Sequence, residues 1–99
     1  MPLARALVAG GLRVIEVTVR TDVAIEAAAA MAKQVPEAIV GLGTVTKEDH
    51  LKAAADLGLK FAVSPGLVEK LVVRAQKLNV PILPGAVTPS EIMIGMDLG

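Results

Sequence analysis

The chain has 99 residues, of which 54% are hydrophobic, and its ten basic residues balance its ten acidic ones. This size predicts a single domain over residues 1–99, and the balanced charge argues against a nucleic acid or a membrane as partner, because both attract basic surfaces. With no cysteine, no long apolar run and no basic leader at its start, the chain is expected to be cytoplasmic and free of disulfides.

Predicted helices and strands alternate from one end of the chain to the other. The pair Gly10-Gly11 and Asn79 suit left-handed helix ends, and Pro2 and Pro89 suit first helical turns. Capping side chains are expected from Thr21 or Asp22, Thr46 and Thr88. The helices are predicted over residues 3–9, 23–34, 46–57, 67–78 and 89–96. The strands are predicted over residues 12–20, 61–63 and 80–83, with one more that begins at 38–40 and runs into residues 41–44.

This order predicts an α/β fold in which four parallel strands alternate with five helices. Strands begin near positions 12, 38, 60 and 80, so the later units recur at about twenty residues. On that rhythm a further strand is due at residue 99, and the first helix has no strand before it. The pattern therefore indicates part of a larger βα-repeat protein.

The strand over residues 12–20 carries a polar row. Because side chains alternate between faces, Glu16, Thr18 and Arg20 share one face with Val14. The other strands are expected to be buried on both faces, as in a parallel sheet. A carboxylate and a guanidinium in such a sheet are either a buried structural pair or part of a site.

Sites in parallel α/β folds lie at the carboxyl ends of the strands. Eight residues are expected there, although short turns use the same residue types for structural reasons: Arg20, Thr21, Gly43, Thr44, Ser64, Pro65, Pro84 and Gly85. Gly41 and Gly43 lack the third glycine of a dinucleotide fingerprint, and His50 is expected to be a solvated surface residue rather than a metal ligand. Five of the six lysines are expected on helices and Lys60 at the start of a strand, so none could attack a carbonyl at that edge.

Four segments give the chain a specific resemblance. They read ALVAGGLRVIEVTVR at residues 6–20, VGLGTV at 40–45, AVSPGL at 62–67 and EIMIGMDLG at 91–99. In this order and spacing they resemble the 2-keto-3-deoxy-6-phosphogluconate (KDPG) and 4-hydroxy-2-oxoglutarate (KHG) aldolases of the Entner–Doudoroff pathway. The resemblance implies a partial (β/α)8 barrel covering strands two to five of eight.

The resemblance also implies chemistry. These aldolases are lyases that use a Schiff-base lysine and no metal or cofactor, and they split their substrate into pyruvate and glyceraldehyde 3-phosphate. Glu16 matches the general acid/base, Arg20 and Thr44 match the residues that hold the pyruvate carboxylate, and Pro65 matches an apolar wall of the pocket. Leu42 stands where the family usually has a small residue between the two glycines, a replacement expected to narrow or reshape the pocket rim.

In this family the Schiff-base lysine lies on the strand that follows the position of Gly99. The 99-residue chain is therefore expected to be inactive alone. A different interpretation is a self-associating half-barrel or a flavodoxin-like structural module without catalysis. A small phosphate- or carboxylate-binding domain is a third, which no phosphate fingerprint supports. Unpaired strand edges and an uncovered sheet face predict a homo-oligomer.

Overall fold

The computed structural model describes residues 2–21 and 23–99. Its helices are α1 (Pro2–Ala9), α2 (Ala24–Gln34), α3 (Glu48–Asp56), α4 (Glu69–Lys77) and α5 (Pro89–Leu98), and its strands are β1 (Val14–Thr18), β2 (Ile39–Gly43), β3 (Phe61–Ser64) and β4 (Ile82–Pro84). The strands form one parallel sheet in the order β1-β2-β3-β4. The predicted alternation and parallel pairing are thus confirmed. None of the described helices is long and apolar enough to span a membrane.

The helix ends show where local sequence is informative. Gly11 and Asn79 have φ angles of 96° and 57°, as predicted for left-handed helix ends. At the start of α5 the Thr88 hydroxyl accepts from the Glu91 N–H, and the Glu91 carboxylate accepts from the Thr88 N–H, forming the predicted capping box. The Thr88 hydroxyl and amide also lower the pKa of the Glu91 carboxyl, because they donate hydrogen bonds to its charged form.

Two predicted caps are wrong. The cap residue of α3 is Lys47 rather than Thr46, and that of α2 is Val23, and neither makes a side-chain capping bond. Thr21 contributes its carbonyl, which accepts from the Ala24 N–H, and Asp22 lies outside the described residues. Ala28 of α2 and Leu51 of α3 are fully buried, so apolar packing in the core holds both helices in place.

The core occupies only one face of the sheet. Val40 and Leu42 of β2 are fully buried against the helices, together with Leu51 and Val45. On the opposite face, which we call the open face, the side chains of Val14, Ile39 and Leu83 are 55%, 42% and 64% exposed. The prediction that all later strands are buried on both faces is therefore wrong for β4 and holds best for the centre of β2.

Candidate functional site

The predicted site residues come together at one edge of the sheet. Because the four strands are parallel, their carboxyl ends meet there. Arg20 lies two residues after the end of β1, Thr44 directly follows β2, and Pro65 directly follows β3. Glu16 lies within β1, two residues before the strand ends. We call this set the carboxyl-edge site.

Glu16 belongs to the open face and is exposed. In the strand register it lies opposite Gly41, while Thr18 lies opposite Gly43. Its carboxylate nevertheless covers Gly43, because a Cβ atom added to that glycine would overlap the Glu16 carboxyl group. The Glu16 side chain therefore reaches diagonally across β2 towards the carboxyl end of the sheet.

Phe61 of β3, the only aromatic residue of the chain, covers the neighbouring open-face position of β2 with its ring. It is paired with Gly41 in the register of β2 and β3, and a Cβ atom at Gly41 would lie 2.5 Å from two of its ring carbons. The ring thus lies against the bare backbone of Gly41. Phe61 was not among the predicted site residues, although a lone aromatic at the start of a strand is a usable signal.

Leu42 does not shape the site. It is 0% exposed and packs in the core between β2 and the helices. Successive residues of a strand point to opposite faces, so a residue between two open-face glycines must point to the helix layer. The Leu42 side chain does not reach the pocket rim, so the expectation that it narrows or reshapes the rim is wrong.

The loop after β2 holds Thr44 in an uncommon conformation. Thr44 has a φ of 58°, which is rare for a β-branched residue. The backbone on both sides is anchored: the Gly43 carbonyl accepts from the Val19 N–H at 2.9 Å, and the Val45 N–H donates to the Val63 carbonyl at 3.0 Å. Val45 is also fully buried. Neighbouring structure thus imposes this strain, and such strain is concentrated at functional sites.

Pro65 is held in position by close packing between the backbone of the loop after β3 and that of the loop after β4. The Ser64 hydroxyl, which is buried, donates to the Gly66 carbonyl at 2.9 Å, and the Gly85 N–H donates to the Ser64 carbonyl at 3.0 Å. A Cβ atom at Gly85 would lie 2.5 Å from the Pro65 carbonyl oxygen. The loops after β3 and β4 therefore contact each other, and this contact leaves Pro65 exposed at the carboxyl edge.

Glu16 and Arg20 do not form a buried pair. Both are exposed, and the ion pairs among the described residues join Lys52 to Asp56 and Lys70 to Glu48. The interpretation of the polar row as a structural ion pair is therefore wrong. The row lines an open, solvated surface.

Replacing Arg20 with Ala is accordingly expected to lower the free energy of unfolding by less than about 1 kcal/mol, because an exposed charge contributes little to stability when no described residue pairs with it. Urea titrations of the two proteins measure this difference. A loss of about 3–5 kcal/mol would instead indicate a stranded buried carboxylate and would contradict the exposed geometry.

One lysine lies nearer to the carboxyl edge than predicted. Lys47 precedes α3 as its cap residue, in the loop after β2, whereas a helical position was expected for it. It is exposed, as are the other five lysines, Lys33, Lys52, Lys60, Lys70 and Lys77. Lys60 lies just before β3, at the opposite edge of the sheet.

His50 contacts the same loop and is not a fully solvated residue. It is half-buried, and its Nδ1 accepts a hydrogen bond from the Thr46 N–H at 3.3 Å. Partial burial lowers the pKa of His50, the positive charge of Lys47 lowers it further, and Asp49 opposes the change. The neutral ring is thus favoured in the folded protein, as an acceptor nitrogen requires.

The free energy of unfolding is therefore expected to fall modestly as the pH drops below 6.5, the ordinary pKa of histidine. Below pH 6.5 the unfolded chain binds a proton at His50 more readily than the folded chain does. The stabilisation by the neutral ring is therefore complete above pH 6.5, and it is lost as the pH falls through the lowered pKa of His50 in the folded protein. Urea titrations on either side of pH 6.5 measure it. His50→Gln keeps a hydrogen-bond acceptor but does not titrate, so it is expected to remove this pH dependence of the free energy of unfolding. An unchanged pH dependence in the variant would contradict the assignment to His50.

Comparisons with known proteins agree with the fold and the motifs. The model of the family described as KDPG and KHG aldolase matches residues 1–99. The chain belongs to this aldolase family. It is 52% identical over 99 residues to the KHG/KDPG aldolase of Escherichia coli K12, a match that spans all of this chain and 46% of that protein. It therefore spans about half the length of the curated relatives it matches.

Solved aldolase structures have the same fold over this region. The KDPG aldolase of Zymomonas mobilis ZM4, solved with 3-phosphoglycerate, is 48% identical and superposes with a TM-score of 0.92, covering 99% of this chain and 46% of that one. The Legionella pneumophila enzyme, with pyruvate captured as a covalent carbinolamine intermediate, is 41% identical with a TM-score of 0.92, covering 99% and 48%. The predicted partial (β/α)8 barrel is confirmed.

Proposed function

We propose that residues 1–99 supply the acid/base and carboxylate-binding half of a class I aldolase site acting on KDPG or KHG. The observation that carries this proposal is the placement of Glu16, Arg20, Thr44 and Pro65 at one carboxyl edge of a sheet shared with aldolases. Pyruvate is the small-molecule ligand expected at this edge, since the Legionella relative captures it covalently.

Each side chain has a chemical role in this proposal. The Arg20 guanidinium and the Thr44 hydroxyl bind the keto-acid carboxylate by charge and hydrogen bonding. Glu16 moves protons to and from the covalent intermediates, because its carboxylate projects over the open face towards the same edge. Pro65 offers an apolar contact for the pyruvate methyl group.

The nucleophilic amine is assigned to a segment outside residues 1–99. Lys33, Lys52 and Lys77 lie on helices and Lys60 lies before β3. Lys70 is in the first turn of α4, where its exposed amine pairs with Glu48 at 3.5 Å. Lys47 is in a carboxyl-edge loop, but it is an exposed amine. An attacking lysine must be deprotonated, and a desolvated pocket or a nearby cation is what usually lowers its pKa.

A chimera tests this division of labour. Residues 1–99 would replace the matching segment of the Escherichia coli aldolase, and aldol cleavage would be assayed. Arg20→Ala is expected to raise KM at least about tenfold with a smaller change in kcat, because it removes binding present throughout the reaction. Lys33→Ala, an exposed change on α2, serves as the control. An Arg20→Ala chimera with unchanged KM would refute the carboxylate role.

A structural, self-associating module is the second candidate function. The open face favours it, because Val14, Ile39 and Leu83 expose apolar side chains there. The two proposals are compatible in one molecule, because the carboxyl edge and the rest of the open face involve different residues. Only the first explains why a carboxylate and a strained Thr44 lie beside each other at the carboxyl edge.

A further inference from the structure

The Gly-x-Gly sequence of β2 fits no nucleotide motif, and it has a structural cost. Glycine weakens a strand because it loses more conformational freedom on folding and packs no side chain. The neighbouring strands carry side chains on the open face, such as Val14 and Phe61, whereas β2 has glycine at two of its three open-face positions, Gly41 and Gly43, and a side chain only at Ile39. Two glycines at such costly positions indicate that something in the structure requires bare backbone there.

Each glycine makes room for one particular side chain. At Gly41 an added Cβ would meet three atoms of the Phe61 ring, and at Gly43 it would meet three atoms of Glu16 out to the carboxylate. By contrast, an added Cβ at Gly66, in the loop after β3 at the same edge, has no atom within 4 Å. Each of the two β2 glycines thus leaves a space, which we call a slot, and the Phe61 ring fills the slot at Gly41 while the Glu16 carboxyl group fills the slot at Gly43.

The two slots act together on Glu16. In the strand register Gly41 is the residue directly opposite Glu16, and the Phe61 ring covers it. The position straight across from Glu16 is thereby filled, and its carboxylate lies instead over Gly43, the residue before Thr44. The Phe61 ring fills the space over Gly41, and the missing side chain of Gly43 leaves space for the Glu16 carboxylate.

We propose that Gly41, Gly43 and Phe61 are positioning residues that direct the Glu16 carboxylate to the carboxyl edge beside Thr44. This inference deepens the proposed function and rests on the acid/base role of Glu16. The placement itself is a property of the unliganded chain, so it is measured without turnover. An experiment can therefore refute the positioning of Glu16 without refuting its acid/base role, and the reverse.

NMR of the 99-residue chain tests the proposal, because Phe61 is the only phenylalanine and its ring signals are unambiguous. In the unsubstituted protein we expect nuclear Overhauser effects from the Phe61 ring to the Gly41 α-protons and from the Glu16 γ-protons to the Gly43 α-protons. The two Glu16 γ-protons should have distinct shifts, as in a fixed side chain. Averaged γ-proton shifts without the Gly43 contact would overturn the proposal.

Gly43→Ala is the decisive variant, with Gly66→Ala as its matched control. Gly43→Ala is expected to fold, because the added methyl meets the end of a flexible side chain. It should change the Glu16 side-chain shifts and bring the γ-protons towards averaging, while the Phe61–Gly41 contact persists. Gly66→Ala should leave both sets of signals unchanged. Equal effects of the two variants on Glu16 would overturn the assignment.

Gly41→Ala tests the second slot. The added methyl is expected to displace the Phe61 ring, with loss of its contact to residue 41, and to change the Glu16 shifts as a consequence. Phe61→Leu provides the same test without altering the backbone. If both variants fold and Glu16 keeps its signals in both, Phe61 does not direct Glu16 and the proposed blocking role is wrong.

Discussion

Glu16→Gln in the chimera with the Escherichia coli aldolase is expected to lower kcat by a factor of about 10²–10⁴, the range that a positioned general acid/base contributes. Glutamine keeps the size and the hydrogen-bonding oxygen of the side chain but cannot exchange a proton. KM should change little, because the carboxylate of the substrate is assigned to Arg20 and Thr44.

The size of this effect follows from where Glu16 lies. It projects from the open face, and its carboxylate covers Gly43 at the carboxyl edge. Glu26→Gln, an exposed change on α2, is the matched control and should leave kcat unaltered. Steady-state kinetics of the three proteins decide the question. A Glu16→Gln chimera with kcat within about twofold of the parent would remove Glu16 from the proton-transfer role.

Self-association of the 99-residue chain is the second large effect that we expect. Within the described residues β1 and β4 are the edge strands of the sheet, and each presents backbone groups without a neighbouring strand. Along β1 an apolar groove of about 450 Å³ opens between α1 and α2. Together with the open face, these features predict that another copy of the chain covers apolar surface that would otherwise face water.

Leu83 offers a direct test of this association, because its side chain is 64% exposed on β4. Burying a leucine contributes about 1.5–3 kcal/mol, and about 1.4 kcal/mol is a tenfold change in affinity. Leu83→Lys is therefore expected to weaken association by at least about tenfold in sedimentation velocity over a dilution series. The matched control is Leu57→Lys, at the end of α3. A parent chain that sediments as a monomer at every concentration would contradict the prediction.

Much of the fold was predictable because its signals are local. Gly11 and Asn79 end helices in the left-handed conformation and Pro89 begins one, each through its own backbone preference, so the elements and their order follow from such residues. Parallel pairing follows from the alternation of strands and helices. The predicted caps of α2 and α3 were wrong because the cap residues are Val23 and Lys47, and at α3 the side chain that bonds the Thr46 N–H is the His50 ring rather than a capping hydroxyl.

The site was predictable only as a set of positions. Strand ends and the family motifs located Glu16, Arg20, Thr44 and Pro65, but their environment depends on which residues lie across the sheet. The Phe61 ring over Gly41 and the Glu16 carboxylate over Gly43 follow from the register of three strands, which periodicity within one strand does not specify. Exposure of the polar row likewise depends on what covers the open face.

The division of the aldolase site between these residues and an outside lysine is the central claim, and borohydride trapping with pyruvate tests it most directly. Pyruvate and borohydride would be added to the 99-residue chain and to the chimera, and intact mass and peptide mapping would locate any adduct. We expect the mass of the chain alone to stay unchanged and the chimera to gain one pyruvate adduct outside residues 1–99. A stable adduct on any of the six lysines of this chain, Lys47 included, would contradict the account.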